Sequence, residues 1–218
     1  MTGLTNYTSN NVLNYVTGQT AMPTLPAAWL ALFTVAGTDA GTGFTEVSGG
    51  SYVRMPTAGV WTAAVSGPPS IVANGGSGIS FPISTAPWGT VIAWGLYDAS
   101  TSGNLLAWDY LGSNPWFPFT CTGMPLGIIN AVGITTGSTP NLLNGASVVF
   151  NAEYGGALPA GLTGGVIYTV TDLVSDTFTT GAPITTRGSG MVRQVTSLGV
   201  SVSSQVVFSV STLTIASS

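Results

Sequence analysis

The chain has 218 residues, of which 44% are hydrophobic and 5% are charged, whereas an ordinary soluble domain carries about 25% charged residues. It contains three arginines, no lysine, seven acidic residues and no histidine, for a formal net charge of -4. So few cations exclude a surface that neutralises a run of phosphates, and with it nucleic-acid binding. The lack of histidine excludes a histidine-activated nucleophile and an ordinary zinc site.

The chain begins with a helical pattern and continues with short apolar runs separated by Gly, Pro, Asn and Ser. Residues 5–17 place Tyr7, Val12 and Val16 on one helical side, and Gly18 ends the predicted helix. The run 28–35 is apolar on both faces, which predicts a central strand. The predicted strands, in chain order, are 28–35, 51–55, 60–65, 79–83, 91–97, 105–110 and 206–215.

The predicted organisation is one domain interrupted by a smaller one. Residues 1–122 form a β-sandwich that is closed by residues 200–218, and residues 123–199 form an inserted β module. The module has no tryptophan and more turn signals, and two tandem domains would leave the second with too few large apolar residues for a core. The apolar phase of the last run shifts, which predicts a bulge near Ser211 and Thr212. The expected fold is therefore an all-β, jelly-roll-like sandwich of about eight strands with a short N-terminal helix.

Several motifs of the first half recur in known proteins. They are NYTSNNVLNYVTG from Asn6, AAWLALFT from Ala27, EVSGGSYVRMP from Glu46, ISFP from Ile79, and WGTVIAWGLYDASTSGNLLAW from Trp88. In this order they resemble a family of small bacteriophage virion proteins encoded among head and tail genes, often labelled tail fibre or minor structural proteins. The resemblance covers about residues 4 to 112 and 205 to 216, and it implies a short helix followed by a β-sandwich.

A second motif set lies inside the predicted module, at residues 142–180. It is similar to small β modules repeated in phage tail and fibre proteins. The similarity implies a turn at residues 158–162 and strands at 168–170 and 176–178. The short family form lacks such an insertion before its closing strand, so this chain departs from the family there.

The resemblance implies a structural virion protein and not an enzyme. The main hypothesis is capsid decoration, in which the protein cements the head by contact with the major capsid protein at the capsid surface after synthesis in the host cytoplasm. The alternative is a tail or fibre component that binds a host-surface glycan. Scarce charge favours a surface covered by partner subunits, so we expect a homo-oligomer, namely a trimer, with no nucleic-acid partner. The sequence contains no run of about 20 apolar residues, so we expect no membrane-spanning segment and no membrane partner.

Six acidic residues are candidates for catalytic or metal-binding groups. Asp98 and Asp109 lie near the ends of adjacent predicted strands, as a glycosidase carboxylate pair would, but Asp98 also opens a turn. Asp39 with Glu46, and Asp172 with Asp176, lack a recognisable calcium-loop spacing. We therefore expect no catalytic residue, no metal and no cofactor.

The remaining candidates concern interfaces and packing. The paired tryptophans Trp94 and Trp108 are predicted to be core residues, and Cys121 is predicted to be a small buried residue. Arg54 is expected to pair with a carboxylate or to bond carbonyl groups. The candidate interface residues are Trp116, Phe117, Phe119, Arg54, Arg187 and Arg193.

Overall fold

The computed structural model describes residues 3–21, 28–67, 70–112, 114–121, 127–131, 133, 142–152, 157–210 and 212–216. The chain divides into two compact units: unit 1 is Met1–Tyr110 with Leu198–Ser218, and unit 2 is Leu111–Ser197. The sequence placed the limits of the inserted module at 123 and 199, and residue 123 lies outside the described residues. The strand before that limit, at 117–121, pairs within unit 2.

In the described part of unit 1 the regular elements are strands and one helix, and the predicted all-β class is confirmed. Its elements are β1 Gly3–Leu4, α1 Asn6–Val16, β2 Trp29–Val35, β3 Thr45–Glu46, β4 Met55–Pro56, β5 Ile71–Ala73, β6 Ile79–Ser80, β7 Gly89–Val91, β8 Ala93–Tyr97, β9 Leu105–Tyr110, β17 Leu198–Val200, β18 Val207–Phe208 and β19 Thr214–Ala216.

The main sheet of unit 1 has the order β1-β9-β8-β2-β3, and β4 also pairs with β2. Strand β2 is central, and its residues Leu30 to Phe33 are fully buried in succession, which confirms that both faces of this strand are covered. Trp94 and Trp108 pack in the core on β8 and β9, as predicted. Large aromatic side chains therefore fill the core beside this sheet.

The C-terminal segment of unit 1 runs antiparallel to residues 71–91 and forms three short ladders. Strand β17 pairs with β7, β18 with β6, and β19 with β5. The predicted single strand 206–215 is therefore two short strands that pair with different partners. The bulge was predicted near Ser211 and Thr212, and Ser211 lies outside the described residues. The predicted strands 51–55 and 79–83 shorten to Met55–Pro56 and Ile79–Ser80. The predicted strand 60–65 is wrong, because a turn occupies its start and Val65 forms only an isolated bridge with Ile71.

Helix α1 agrees with its prediction, because its ends carry local signals. Thr5 is the N-cap and its hydroxyl accepts the Thr8 N–H, while Gly18 adopts φ 71° after the last turn. The Thr8 hydroxyl donates to the Leu106 carbonyl on β9 at 2.7 Å. The first turn of the helix is thus fastened to the main sheet by polar bonds.

Unit 2 is a seven-stranded antiparallel sheet of order β13-β12-β16-β10-β11-β15-β14. Its core contains Phe119, Phe150 and Phe178, and Cys121 is fully buried there as a free thiol. The strands implied at 168–170 and 176–178 are present within a residue. The strands of unit 2 are β10 Phe117–Cys121, β11 Ile129–Asn130, β12 Ser147–Asn151, β13 Ile167–Thr169, β14 Thr171–Val174, β15 Thr177–Thr179 and β16 Gly188–Gln194.

Candidate functional site

A tight turn in unit 1 brings the side chains of one motif together. Gly49 and Gly50 both have positive φ, and the Tyr52 N–H donates to the Gly49 carbonyl at 2.9 Å. A Cβ on Gly50 would lie 2.6 Å from the Ala86 carbonyl oxygen, so only glycine fits at this position. The turn sends the chain back, so that Tyr52 and Arg54 face Glu46 on β3.

Arg54 forms a two-point ion pair with Glu46. Its Nε donates to Glu46 Oε1 at 2.8 Å and its Nη2 donates to Oε2 at 2.6 Å. The Tyr52 hydroxyl donates to the same Oε1 at 3.0 Å and accepts the Leu32 N–H at 2.9 Å. Three side chains of one motif are thereby tied to the central strand β2.

The same guanidinium also holds the loop that follows β8. Arg54 Nη1 donates to the carbonyls of Ala99 at 3.1 Å and Ser102 at 2.7 Å. Its Cζ lies 3.5 Å from the centre of the Tyr97 ring, a close cation–π contact. We call Glu46, Tyr52, Arg54 and Tyr97 the Arg54 network. The expectation that Arg54 pairs with a carboxylate or bonds carbonyls is confirmed, since it does both.

Burial shapes the ionisation of this network. Burial raises the pKa of the Tyr52 phenol well above its usual range, and the nearby Glu46 carboxylate adds to the rise. Burial also raises the pKa of Tyr97, which Arg54 partly offsets. For Arg54, burial lowers the pKa, but the hydrogen bonds and charge of Glu46 outweigh it and hold that pKa above its usual value. The Arg54 guanidinium is therefore charged and the two phenols are neutral at ordinary pH.

An open groove of about 730 Å³ lies beside the network. One wall is the turn that carries Glu46 and Arg54, and the other is the hydroxyl-bearing loop 100–102. The groove combines apolar surface, hydroxyls and a compensated ion pair, an arrangement suited to holding a neutral ligand. Its lining residues are Trp29, Glu46, Val47, Ser48, Gly49, Tyr52, Val53, Arg54, Met55, Pro56, Ser100, Thr101 and Ser102.

The candidate carboxylate pair is not brought together. Asp98 follows the Tyr97 end of the β8–β9 ladder, whereas Asp109 is the partner of Trp94. Four residues of strand separate the two positions, or about 13 Å, and even inverting glycosidases need carboxylates within about 9.5 Å. Both Asp98 oxygens accept hydrogen bonds from Asn104, at 2.7 and 2.8 Å. Asp98 therefore closes the loop that Arg54 also holds.

The other acidic candidates have separate partners. Asp39 accepts a hydrogen bond from the Trp108 indole at 2.9 Å. In unit 2, Asp172 accepts from the Thr179 hydroxyl and Asp176 from the Gly133 N–H, both at 2.9 Å. Among the residues that the structure describes, no three metal-ligating side chains lie together.

Three of the six candidate interface residues lie on one ladder of unit 2. Phe117 and Phe119 are on β10, which pairs with β16, the strand of Arg193. Phe119 is 1% exposed and presents no surface to a partner. Arg193 is also buried, donates to the Gly112 carbonyl at 2.7 Å, and lies 5.9 Å from the ring centre of the half-buried Trp116. Arg187 is exposed before β16.

Sequence reasoning missed the role of Tyr52 and of the loop after Asp98. The signal was present, because the two most specific motifs, EVSGGSYVRMP and WGLYDASTSGN, supply every member of the Arg54 network. The structure brings the two motifs into contact through Arg54, Ala99, Ser102 and Tyr97. No helix in the described parts of the chain has the length and apolarity to cross a membrane.

Comparison with known proteins gives one family. The model of the family described as podophage GP4 fiber I protein gp80 matches residues 3–115. The match spans β1 to β9 and includes the whole Arg54 network and both walls of the groove. No curated protein matches the chain.

Proposed function

Because this chain belongs to the podophage GP4 fiber I protein gp80 family and is thus a phage virion structural protein, we propose that it is a non-enzymatic fibre component of the tail. The observation that carries the proposal is the match over residues 3–115, which covers nearly all of the N-terminal part of unit 1. The capsid-decoration hypothesis rests on scarce charge alone. The family description favours the fibre over the head.

The separation of Asp98 and Asp109 supports a binding role without catalysis. No carboxylate pair in the β8–β9 ladder is placed to act on the two sides of a glycosidic bond. The assembly we propose is a homotrimer without nucleic acid or membrane, as the low charge favours.

The groove beside the Arg54 network is our candidate site for a host-surface glycan. Trp29 supplies an aromatic ring, and Ser100, Thr101 and Ser102 supply hydroxyls on the facing wall. Arg54 is the one cation among the lining residues, and Glu46 compensates it. This chemistry fits a neutral sugar better than an anionic one.

The location is tested by counting copies of the protein per particle and by labelling it on particles seen by electron microscopy. We expect at most dozens of copies, with label at the tail. Hundreds of copies, or label spread over the head, would overturn the fibre proposal and restore capsid decoration.

The glycan site is tested with a matched pair of variants and purified host-surface polysaccharide. Ser100 and Ser66 are both exposed serines of unit 1, and only Ser100 lines the groove. Ser100→Arg should fill the groove and weaken binding at least about tenfold, or 1.4 kcal/mol, whereas Ser66→Arg should bind like the unmodified protein. Equal binding by both variants would contradict the site.

A further inference from the structure

Helix α1 has two different faces. With about 3.6 residues per turn, Asn6, Asn10 and Asn14 fall on one side. The opposite side carries Val12, Tyr15 and Val16, and Leu13 lies at the edge of this group, next to Asn6; we call these four residues the α1 apolar face. In a helix of a globular protein, the apolar stripe normally faces the core.

The apolar face of α1 is not covered by its own unit. No residue of the helix is buried, and Leu13 is 60% and Val16 70% exposed. The contacts that fasten the helix come from its first turn, where Thr5 and Thr8 bond to carbonyls of β9. The apolar stripe in the C-terminal half of the helix is therefore largely exposed.

Such a helix is weak by itself. It has 11 residues, and isolated helices shorter than about 12–15 residues are marginal in water. Its Asn, Thr, Val and Tyr content also gives low helix propensity. Burial of the apolar face against a partner would remove this weakness.

We propose that the partner is a second copy of this chain, with α1 packing against α1 of the neighbouring subunit. The segment from residue 1 to 38 contains no charged residue, so equivalent helices meet without repulsion between like charges. A partner selected by charge would find nothing to recognise there. Equivalent helices that meet around a symmetry axis, such as the three-fold axis of the proposed homotrimer, need a patch that packs against its own copies, and an uncharged apolar stripe meets this need.

The area of the face sets the strength of the contact. From their exposed fractions, we put the exposed surface area of the four side chains together at roughly 400 Å². For comparison, one fully buried aromatic side chain accounts for about 150–250 Å². A standard interface buries about 800 Å² per partner. One α1–α1 contact thus supplies about half of that, so association through it should be reversible and depend on concentration.

The test compares two substitutions at equally exposed valines of the full-length protein. Val16 and Val174 are both 70% exposed, and Val174 lies in unit 2. Val16→Lys puts a cation in the last turn of α1, which has no basic residue, where the helix dipole favours it. It should therefore keep the helix while placing like charges at the contact. Val174→Lys is the control.

Sedimentation velocity over a range of concentrations measures the association. We expect the unmodified protein and Val174→Lys to form the same oligomer, and Val16→Lys to associate at least about tenfold more weakly. An unmodified protein that stays monomeric throughout, or a Val16→Lys variant that associates normally, would overturn the proposal. Failure of Val16→Lys to enter particles while the purified protein is monomeric would assign the face to another virion protein.

A second measurement reports the identity of the neighbour directly. The native Cys121 is fully buried and does not compete for disulfide formation. Leu13→Cys therefore adds the one accessible thiol, which can react with the same thiol of a neighbouring subunit. On mild oxidation we expect a disulfide-linked dimer of Leu13→Cys and none of the control Val174→Cys. Equal linkage of both variants, or none of either, would contradict α1–α1 packing, whatever the location of the protein in the virion.

Discussion

Replacing Arg54 by lysine removes the geometry of the network while keeping its charge. Arg54 makes four hydrogen bonds, two to Glu46 and one each to the carbonyls of Ala99 and Ser102. A lysine ammonium donates from a single point, so it cannot reach both carboxylate oxygens and both loop carbonyls. At least two charge-assisted bonds are lost, each with a net contribution of about 1.5–3 kcal/mol.

Solvent reduces this cost somewhat. The Arg54 side chain is 8% exposed, but that of Glu46 is 27% exposed, so water partly solvates the carboxylate that is left behind. We therefore expect Arg54→Lys to lower the free energy of unfolding of unit 1 by about 2–3 kcal/mol. Arg54→Ala should lower it by about 3–4 kcal/mol, near the lower end for breaking a buried ion pair.

Urea unfolding followed by tryptophan fluorescence measures these values, because Trp88, Trp94 and Trp108 are buried in unit 1. At about 1–3 kcal/mol per M of urea, Arg54→Lys should lower the midpoint by about 1 M or more. Arg187→Lys, at an exposed position, should change the stability by less than about 0.5 kcal/mol. If Arg54→Lys is as stable as the Arg187 control, the network does not stabilise unit 1 and our interpretation of it is wrong.

Three further predictions follow from the geometry. Burial raises the pKa of Tyr52, so its neutral form stabilises the fold fully below about pH 10 and less as the pH rises further. The free energy of unfolding measured above about pH 10 should therefore fall less steeply with pH in Tyr52→Phe than in the unmodified protein. An identical slope in both proteins would contradict this prediction. Gly50→Ala should lower the thermal midpoint clearly more than Gly49→Ala, since both have positive φ but only the Cβ at 50 meets the Ala86 carbonyl; equal losses would count against this. The Thr196 N–H donates to the Leu111 carbonyl at 3.0 Å, so the two ends of unit 2 lie together. A variant in which two glycines replace residues 112–195 should therefore still melt cooperatively. A non-cooperative melt would show that unit 1 needs unit 2 to fold.

Local signals in the sequence predicted local structure well. Gly18 as a stop and the spacing of Val12 and Val16 predicted α1, and the structure adds Thr5 as its N-cap. The fully apolar run around Leu32 defined the central strand β2. In each case the deciding contacts are made by residues close in sequence, or by a burial pattern that has only one explanation.

Features set by distant partners could not be predicted in the same way. Val207–Phe208 and Thr214–Ala216 read as one strand, but they pair with different segments because the partner chain turns at Gly75 to Gly78. The Arg54 network depends on Ala99 and Ser102 offering main-chain carbonyls, which carry no residue-specific signal. Acidic residues are scarce in this sequence, but nothing in it singles out Glu46 as the partner of Arg54.

That scarcity has a structural logic in the part of the chain that the structure describes. The charged side chains fix turns and loops: Glu46 and Arg54 fasten two motifs, Asp98 closes the loop between β8 and β9, and Asp176 holds a main-chain N–H of unit 2. A charge used in this way is compensated within its own unit and presents little field to a partner. In the assembly that we propose, association should then depend on apolar burial and hydrogen bonds, which high salt does not screen. The uncharged, uncovered face of α1 is the surface on which this expectation is most directly tested.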